Sequence, residues 1–156
     1  MKKNQTYEKD IRFGLFSLED CANHNIPFLY SYIKDVRKMQ KIVSEIWYYL
    51  QVGADIGQGY FGDEDGGVMS AFYFFIGLGL YPLNPLSGEF VITAPRFPFC
   101  EIDLPNGRFI INAPLASREN CCVKSVKLNG ELHKGITINY EEIKNGGYLE
   151  LELEKY

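Results

Sequence analysis

Residues 68–81, VMSAFYFFIGLGLY, place apolar side chains on nearly every face of the helix they would form. A helix apolar all round must be buried on most sides. Residues 53–67, GADIGQGYFGDEDGG, lead directly into it and hold six glycines in fifteen positions. So many conformationally free residues sustain neither helix nor strand, which predicts a loop ending at the helix. The pair constrains the whole chain: a long loop is delivered onto a helix that needs neighbours on most sides. Gly77 and Gly79 allow neighbouring backbones to approach it closely.

Two further helices are predicted before that loop. Asn25 followed by Ile26-Pro27 reads as a helix start, because proline is tolerated in a first turn. Met39, Ile42, Val43, Ile46, Trp47 and Leu50 then recur at helical spacing, with Lys38, Gln40, Lys41, Ser44 and Glu45 on the other face, an amphipathic surface helix. The character changes near Pro82. Beyond it, strands are predicted at 89–93, 100–104, 108–113, 123–128, 136–139 and 148–154. In the last, Leu149, Leu151 and Leu153 alternate with Glu150, Glu152 and Glu154, the period of a half-buried strand. Pro105-Asn106-Gly107, Asn129-Gly130 and Asn145-Gly146-Gly147 read as hairpin turns. The expected class is α+β: helices over residues 1–82, which carry the acidic loop, then a small antiparallel β region over 83–156. Three helices with one apolar all round do not close a core by themselves, which points to a helical half that belongs to something larger.

Composition excludes several functions. A net charge of −4 provides no basic footprint for nucleic acid. The longest apolar run, 69–81, is too short to span a bilayer. The start, MKKNQTYEKD, has basic residues with no apolar run behind them and is not expected to act as a signal peptide. Cys21, Cys100, Cys121 and Cys122 show no metal-ligand spacing, and neighbours in a strand point to opposite faces, so Cys121 and Cys122 are not expected to pair. Aromatic residues make 15% of the chain; most read as core, with Phe13, Phe61 and Phe72 open as platforms for a sugar face, Phe72 being read as packing.

The concentrated chemistry is Asp63-Glu64-Asp65 at the start of the apolar helix. The helix dipole favours ionised carboxylates there, while mutual repulsion raises the pKa of at least one of the three. Such a group can accept a proton from water; an acid at a helix start can equally serve only as a cap. An EF-hand fails, because Gly67, Val68 and Phe74 stand where its pattern needs Asp or Asn, Gly and Glu. No glycine precedes a Lys-Ser/Thr pair, so no phosphate loop is present.

Residues 62–90, GDEDGGVMSAFYFFIGLGLYPLNPLSGEF, resemble the signature of glycoside hydrolase family 92. HNIPFLYSY at 24–32 resembles an upstream family segment, and VKLNGEL at 126–132 and IKNGGYLEL at 143–151 resemble its C-terminal β elements. The resemblance implies an exo-acting, inverting, calcium-dependent α-mannosidase built from an N-terminal β-sandwich and a C-terminal (α/α)6 barrel. This chain would supply the last barrel helices and the terminal β elements. Asp63 and Asp65 match the catalytic aspartates, a general-base pair; Glu64 and His24 match substrate-binding positions. The family's general acid lies on a segment that nothing here matches. Its implied partners are an α-mannoside glycan and the missing sandwich and barrel portion, with neither nucleic acid nor membrane; family members are often secreted or periplasmic.

Two departures stand out. Cys21 replaces a family glutamate just before the histidine segment, and a thiol supplies neither its charge nor its two acceptor oxygens. Val68 replaces a glutamine. His24 is open to two readings, a hydroxyl contact or a satisfied structural histidine. The chain alone is expected to be inactive; the alternatives are a catalytically dead remnant and a carbohydrate-binding module.

Overall fold

The computed structural model describes residues 12–13, 16–18, 20–50 and 65–156. Asp63, Glu64 and Phe61 lie outside the described residues, as does the side chain of Phe13. A short antiparallel pair, β1 (Arg12–Phe13) and β2 (Phe16–Ser17), precedes two 3-10 turns at Cys21–Asn23 and Ile26–Ser31. The first predicted helix is thus a 3-10 segment. Asn25 makes no side-chain cap, and the Tyr32 N–H bonds the Leu29 carbonyl three residues back. Such tight geometry is confined to short pieces.

Helix α1 (Val36–Leu50) buries Met39, Val43 and Ile46 completely, the stripe its spacing predicts. Gln40 and Ser44, expected on the outer face, are buried too, because Val123 and Arg96 pack over them and bond their side chains. The Asp35 carboxylate accepts the Lys38 N–H at 3.4 Å at its start, in the manner of an N-cap. Helix α2 (Val68–Leu78) packs Met69, Phe72 and Ile76 against α1 in a cluster with Phe16, Leu18 and Phe28. The expectation that α2 is buried on most sides is corrected: Phe74 is 57% and Val68 40% exposed. Its periodicity demands more neighbours than the described residues provide.

Helix α2 ends at Gly79, whose φ of 77° is left-handed. The Gly77 and Gly79 carbonyls accept the N–H groups of Arg96 and Thr93 at 2.9 and 2.8 Å. A Cβ on Gly79 would lie 2.6 Å from the Thr93 carbonyl oxygen, so the backbones meet there as predicted; at Gly77 the nearest atoms belong to the Trp47 ring. This corner launches β3 (Leu80–Asn84), a strand not foreseen because its Pro82 is a poor strand former. Pro82 lies within β3 rather than beyond the helical part.

Strand β3 pairs antiparallel with β4 (Glu89–Ile92), and β4 with β9 (Thr137–Asn139). Side chains alternate across a strand, so Val91 joins the helical cluster while Ile92 joins a second core. That core sits against a five-stranded sheet ordered β5-β6-β10-β7-β8, made of β5 (Phe99–Leu104), β6 (Gly107–Asn112), β7 (Cys122–Leu128), β8 (Glu131–Leu132) and β10 (Gly147–Glu154). Phe109, Ile111, Val126, Leu149, Leu151 and Leu153 fill it.

Two sequence expectations about this region change. The other described strand pairs are antiparallel, but β10 runs parallel to β6. Asn145-Gly146-Gly147 is therefore no hairpin; it joins α3 (Tyr140–Ile143) to β10, and a Cβ on Gly146 would strike the Arg108 backbone. The other two turns are hairpins, β5–β6 and β7–β8. All four cysteines are free thiols, and burial pushes Cys122 up to about 11.

Helix and sheet are tied by polar bonds as well. The Val123 N–H donates to buried Gln40 Oε1 at 2.9 Å, and Arg37 pairs with Glu154 while donating to the Lys155 carbonyl. Buried Arg96 donates to Ser44 Oγ and the Ala94 carbonyl at 2.9 and 2.6 Å. Gly79→Ala combines an unfavourable φ with a backbone collision and is expected to destabilise the chain by about 2 kcal/mol or more, read as a lower midpoint in urea unfolding.

Candidate functional site

The site is anchored where the described part of the glycine-rich loop meets α2. Asp65, Gly66 and Gly67 all have left-handed backbones, with φ of 51°, 67° and 97°. Gly66 and Gly67 adopt this freely, and a Cβ at either would meet nothing within 4 Å. Asp65 does so at a cost of about 1–2 kcal/mol, eased because aspartate's short side chain can bond locally. The three residues swing the chain abruptly into the helix and leave Asp65 exposed at its head. Gly67, the residue before the helix, has no side chain with which to cap it, and the helix dipole turns its positive end toward this corner.

His24 lies at the other side of this site, 3% exposed. Its ring packs on Phe72 of α2 with centroids 4.2 Å apart. Nε2 lies 2.8 Å from the Leu18 carbonyl; a carbonyl can only accept, so Nε2 carries the proton and Nδ1 is the remaining polar atom. Burial lowers the His24 pKa below its ordinary 6.5, while the Leu18 bond and the Asp20 and Asp65 carboxylates act in the opposite sense. The structure therefore brings Asp65 within electrostatic reach of His24. Phe72 is buried packing, and it also meets Tyr81 edge-on. Burial in turn pushes the Tyr81 hydroxyl up to about 12.

Cys21 is exposed in the turn ahead of His24. The neighbouring Asp20 carboxylate accepts from the Ala22 N–H at 3.2 Å and from Asn23 Nδ2 at 3.0 Å. Sequence reasoning missed Asp20; the available signal was an aspartate two residues before a small residue at a turn start. Its oxygens hold the turn. Among the described residues no three His, Cys, Asp or Glu side chains converge on a point that could hold a metal ion. The described residues therefore do not make up a carboxylate-based calcium site.

Residues 1–155 match the glycosyl hydrolase family 92 catalytic domain, and the chain belongs to that family. Its fold is similar to a family GH92 alpha-mannosidase from Bacteroides thetaiotaomicron, at a TM-score of 0.85 and 27% identity, covering 92% of this chain and 19% of that one. An inverting mannosidase of the same family from Bacteroides thetaiotaomicron VPI-5482 matches with a TM-score of 0.76 and 30% identity, over 85% of this chain and 18% of that one. An uncharacterized secreted glycosidase from Arthroderma benhamiae is 35% identical over 98 residues, 60% of this chain and 13% of that protein. The chain thus spans about a fifth or less of the length of these relatives. No helix among the described residues is long and apolar enough to cross a membrane.

His24 enters the folded state with a depressed pKa, so the unfolded chain binds the extra proton first as pH falls below 6.5. Its contribution is present above that pH and is lost on acidification toward the folded value. Urea midpoints at about pH 7.5 and about pH 5.5 are expected to differ less in His24→Gln than in the parent chain.

Proposed function

We propose that this chain is the C-terminal part of an inverting exo-α-mannosidase and supplies its general base. In this reading residues 1–82 complete an (α/α)6 barrel and residues 83–156 form the terminal β region. Asp63 and Asp65 hold the water that attacks the anomeric carbon and accept its proton. An acid from a portion of the enzyme outside this chain protonates the leaving oxygen on the opposite face of the sugar, with space between the two for that water. Glu64 and His24 line the sugar. The implied calcium ion would offer Lewis-acid or orienting chemistry to the sugar hydroxyls; its ligands are sought outside the described residues, and no step above runs through it. The substrate is an α-mannoside glycan, and the secreted fungal relative supports a secreted parent enzyme.

The observation that carries this reading is Asp65: an exposed carboxylate held in a left-handed conformation at the head of α2, its charge felt at the His24 ring. Cys21 favours a second reading, a catalytically inert remnant or carbohydrate-binding module, because its thiol stands where the family has a carboxylate.

In a longer enzyme containing this segment, Asp63→Asn or Asp65→Asn is expected to lower kcat on an aryl α-mannoside by about 10²- to 10⁴-fold. Unchanged rates in both would remove the assignment. The 156-residue chain alone is expected to release no mannose from the same substrate. Turnover that disappears in Asp65→Asn would overturn that expectation.

A further inference from the structure

The solvent face of the five-stranded sheet carries a row of side chains that the mechanism above does not use. Residues directly opposite across a ladder share one face. The register therefore sets Phe99 of β5, Asn112 of β6, Glu150 of β10, Lys127 of β7 and Leu132 of β8 in one line across all five strands. Phe99 is 52% and Leu132 62% exposed, so the line has apolar ends and a polar centre. Over its centre lies a groove of about 240 Å³ bordered by Asn112, Ser125, Lys127, Glu150 and Glu152, with exposed Leu115 on one wall.

The polar centre is not consumed internally. Lys124 and Ser125 both donate to Glu152. Among the described residues, Asn112 and Glu150 have no side-chain hydrogen bond or ion pair, and Lys127 makes no ion pair although its charge helps keep Glu152 ionised. The row thus presents an amide that donates and accepts, a carboxylate that accepts twice, and an ammonium that donates. Strand spacing of about 4.8 Å separates neighbouring groups. Opposite charges flank one another, so the groove selects neither an anion nor a cation. What such a set matches is a neutral ligand with several hydroxyls close together, each both donor and acceptor, and an apolar C–H face to lie on Leu115 or Phe99. The groove is smaller than the about 300–1,000 Å³ of a drug-sized pocket, the scale of a single sugar ring.

We infer that this sheet face is a saccharide-binding surface, centred on Asn112, Glu150 and Lys127, and separate from the site at Asp65. Glu150 accepts from two vicinal hydroxyls, Asn112 and Lys127 donate to ring-substituent oxygens, and the sugar's C–H face lies on the apolar wall. Choosing a mannoside as probe rests on the function proposed above; the surface itself rests on the row.

The test is an amide chemical-shift titration of the 156-residue chain with methyl α-mannoside, with glycerol as a control polyol. Expected are saturable shifts at residues 110–112, 125–127 and 150–152 at millimolar sugar and none with glycerol. Glu150→Gln and Asn112→Ala, both on the solvent face, are each expected to weaken binding about tenfold, the loss of one hydrogen bond that involves or adjoins a charge. Asp65→Asn is expected to leave these shifts unchanged, so failure of the catalytic reading and failure of this one are scored apart. No saturable shift, shifts confined to the surroundings of His24 and Asp65, or equal shifts with glycerol would overturn the inference.

Discussion

The packing of β4 between two cores is the constraint on which the rest depends. Its successive residues Val91 and Ile92 face opposite ways, one into the cluster of α1 and α2, the other onto the five-stranded sheet. A strand with one polar face could not do this, since either core would lose its wall. The corner at Gly79 makes the arrangement reachable: it reverses the chain from α2 into β3 within one left-handed residue, and the returning backbone at 93–96 bonds the helix end directly. Leu78 and Leu80, on either side of that corner, belong to the sheet core, whereas Phe72 and Ile76 belong to the helical one. The orientation of α2 is therefore set by the sheet, and so is the position of Asp65 at its other end.

That coupling explains how a loop so rich in glycine can still present chemistry. Asp65 sits only three residues ahead of a helix whose inner face is locked by Met69 and Phe72. Phe72 also carries the His24 ring, so one side chain holds the two candidate site residues in register. The histidine's proton is committed to a backbone carbonyl, which fixes the ring and leaves Nδ1 as the nitrogen that Leu18 does not engage. The exposed flank of α2, with Phe74 and Val68, together with exposed Tyr32 and Ile33 nearby in sequence to His24, agrees with a chain that matches a fifth or less of its relatives' length.

Much of the fold was legible from patterns of period 3.6 and period 2. The stripe of α1 and the alternation of Leu149, Leu151 and Leu153 with glutamates are local consequences of geometry, and both occur where expected. Asn129-Gly130 was legible because its left-handed pair suits a two-residue hairpin. Asn145-Gly146-Gly147 has the same chemistry and a different outcome, because turn residues specify a local bend and not the partner of the strand that follows. Likewise Pro82 hid β3: a missing N–H argues against a strand, yet among the described strands β3 is an edge strand paired with β4.

The sequence by itself determined the family, through a long motif around the acidic triplet, and it determined α1, α2 and most strands of the second half, because those depend on near neighbours; the 3-10 segment at Ile26–Ser31, β3 and α3 escaped it. The α2 corner was half visible, since Gly79 signals a close approach without naming what approaches. Only the tertiary structure decided that β10 enters parallel beside β6, that His24 lies buried against Phe72 within reach of Asp65's charge, and that Asn112, Glu150 and Lys127 stand in one row. These are contacts between residues far apart in the chain. Their partners are chosen by which faces remain to be buried once the local elements have formed, and no pattern of period 2 or 3.6 carries that information.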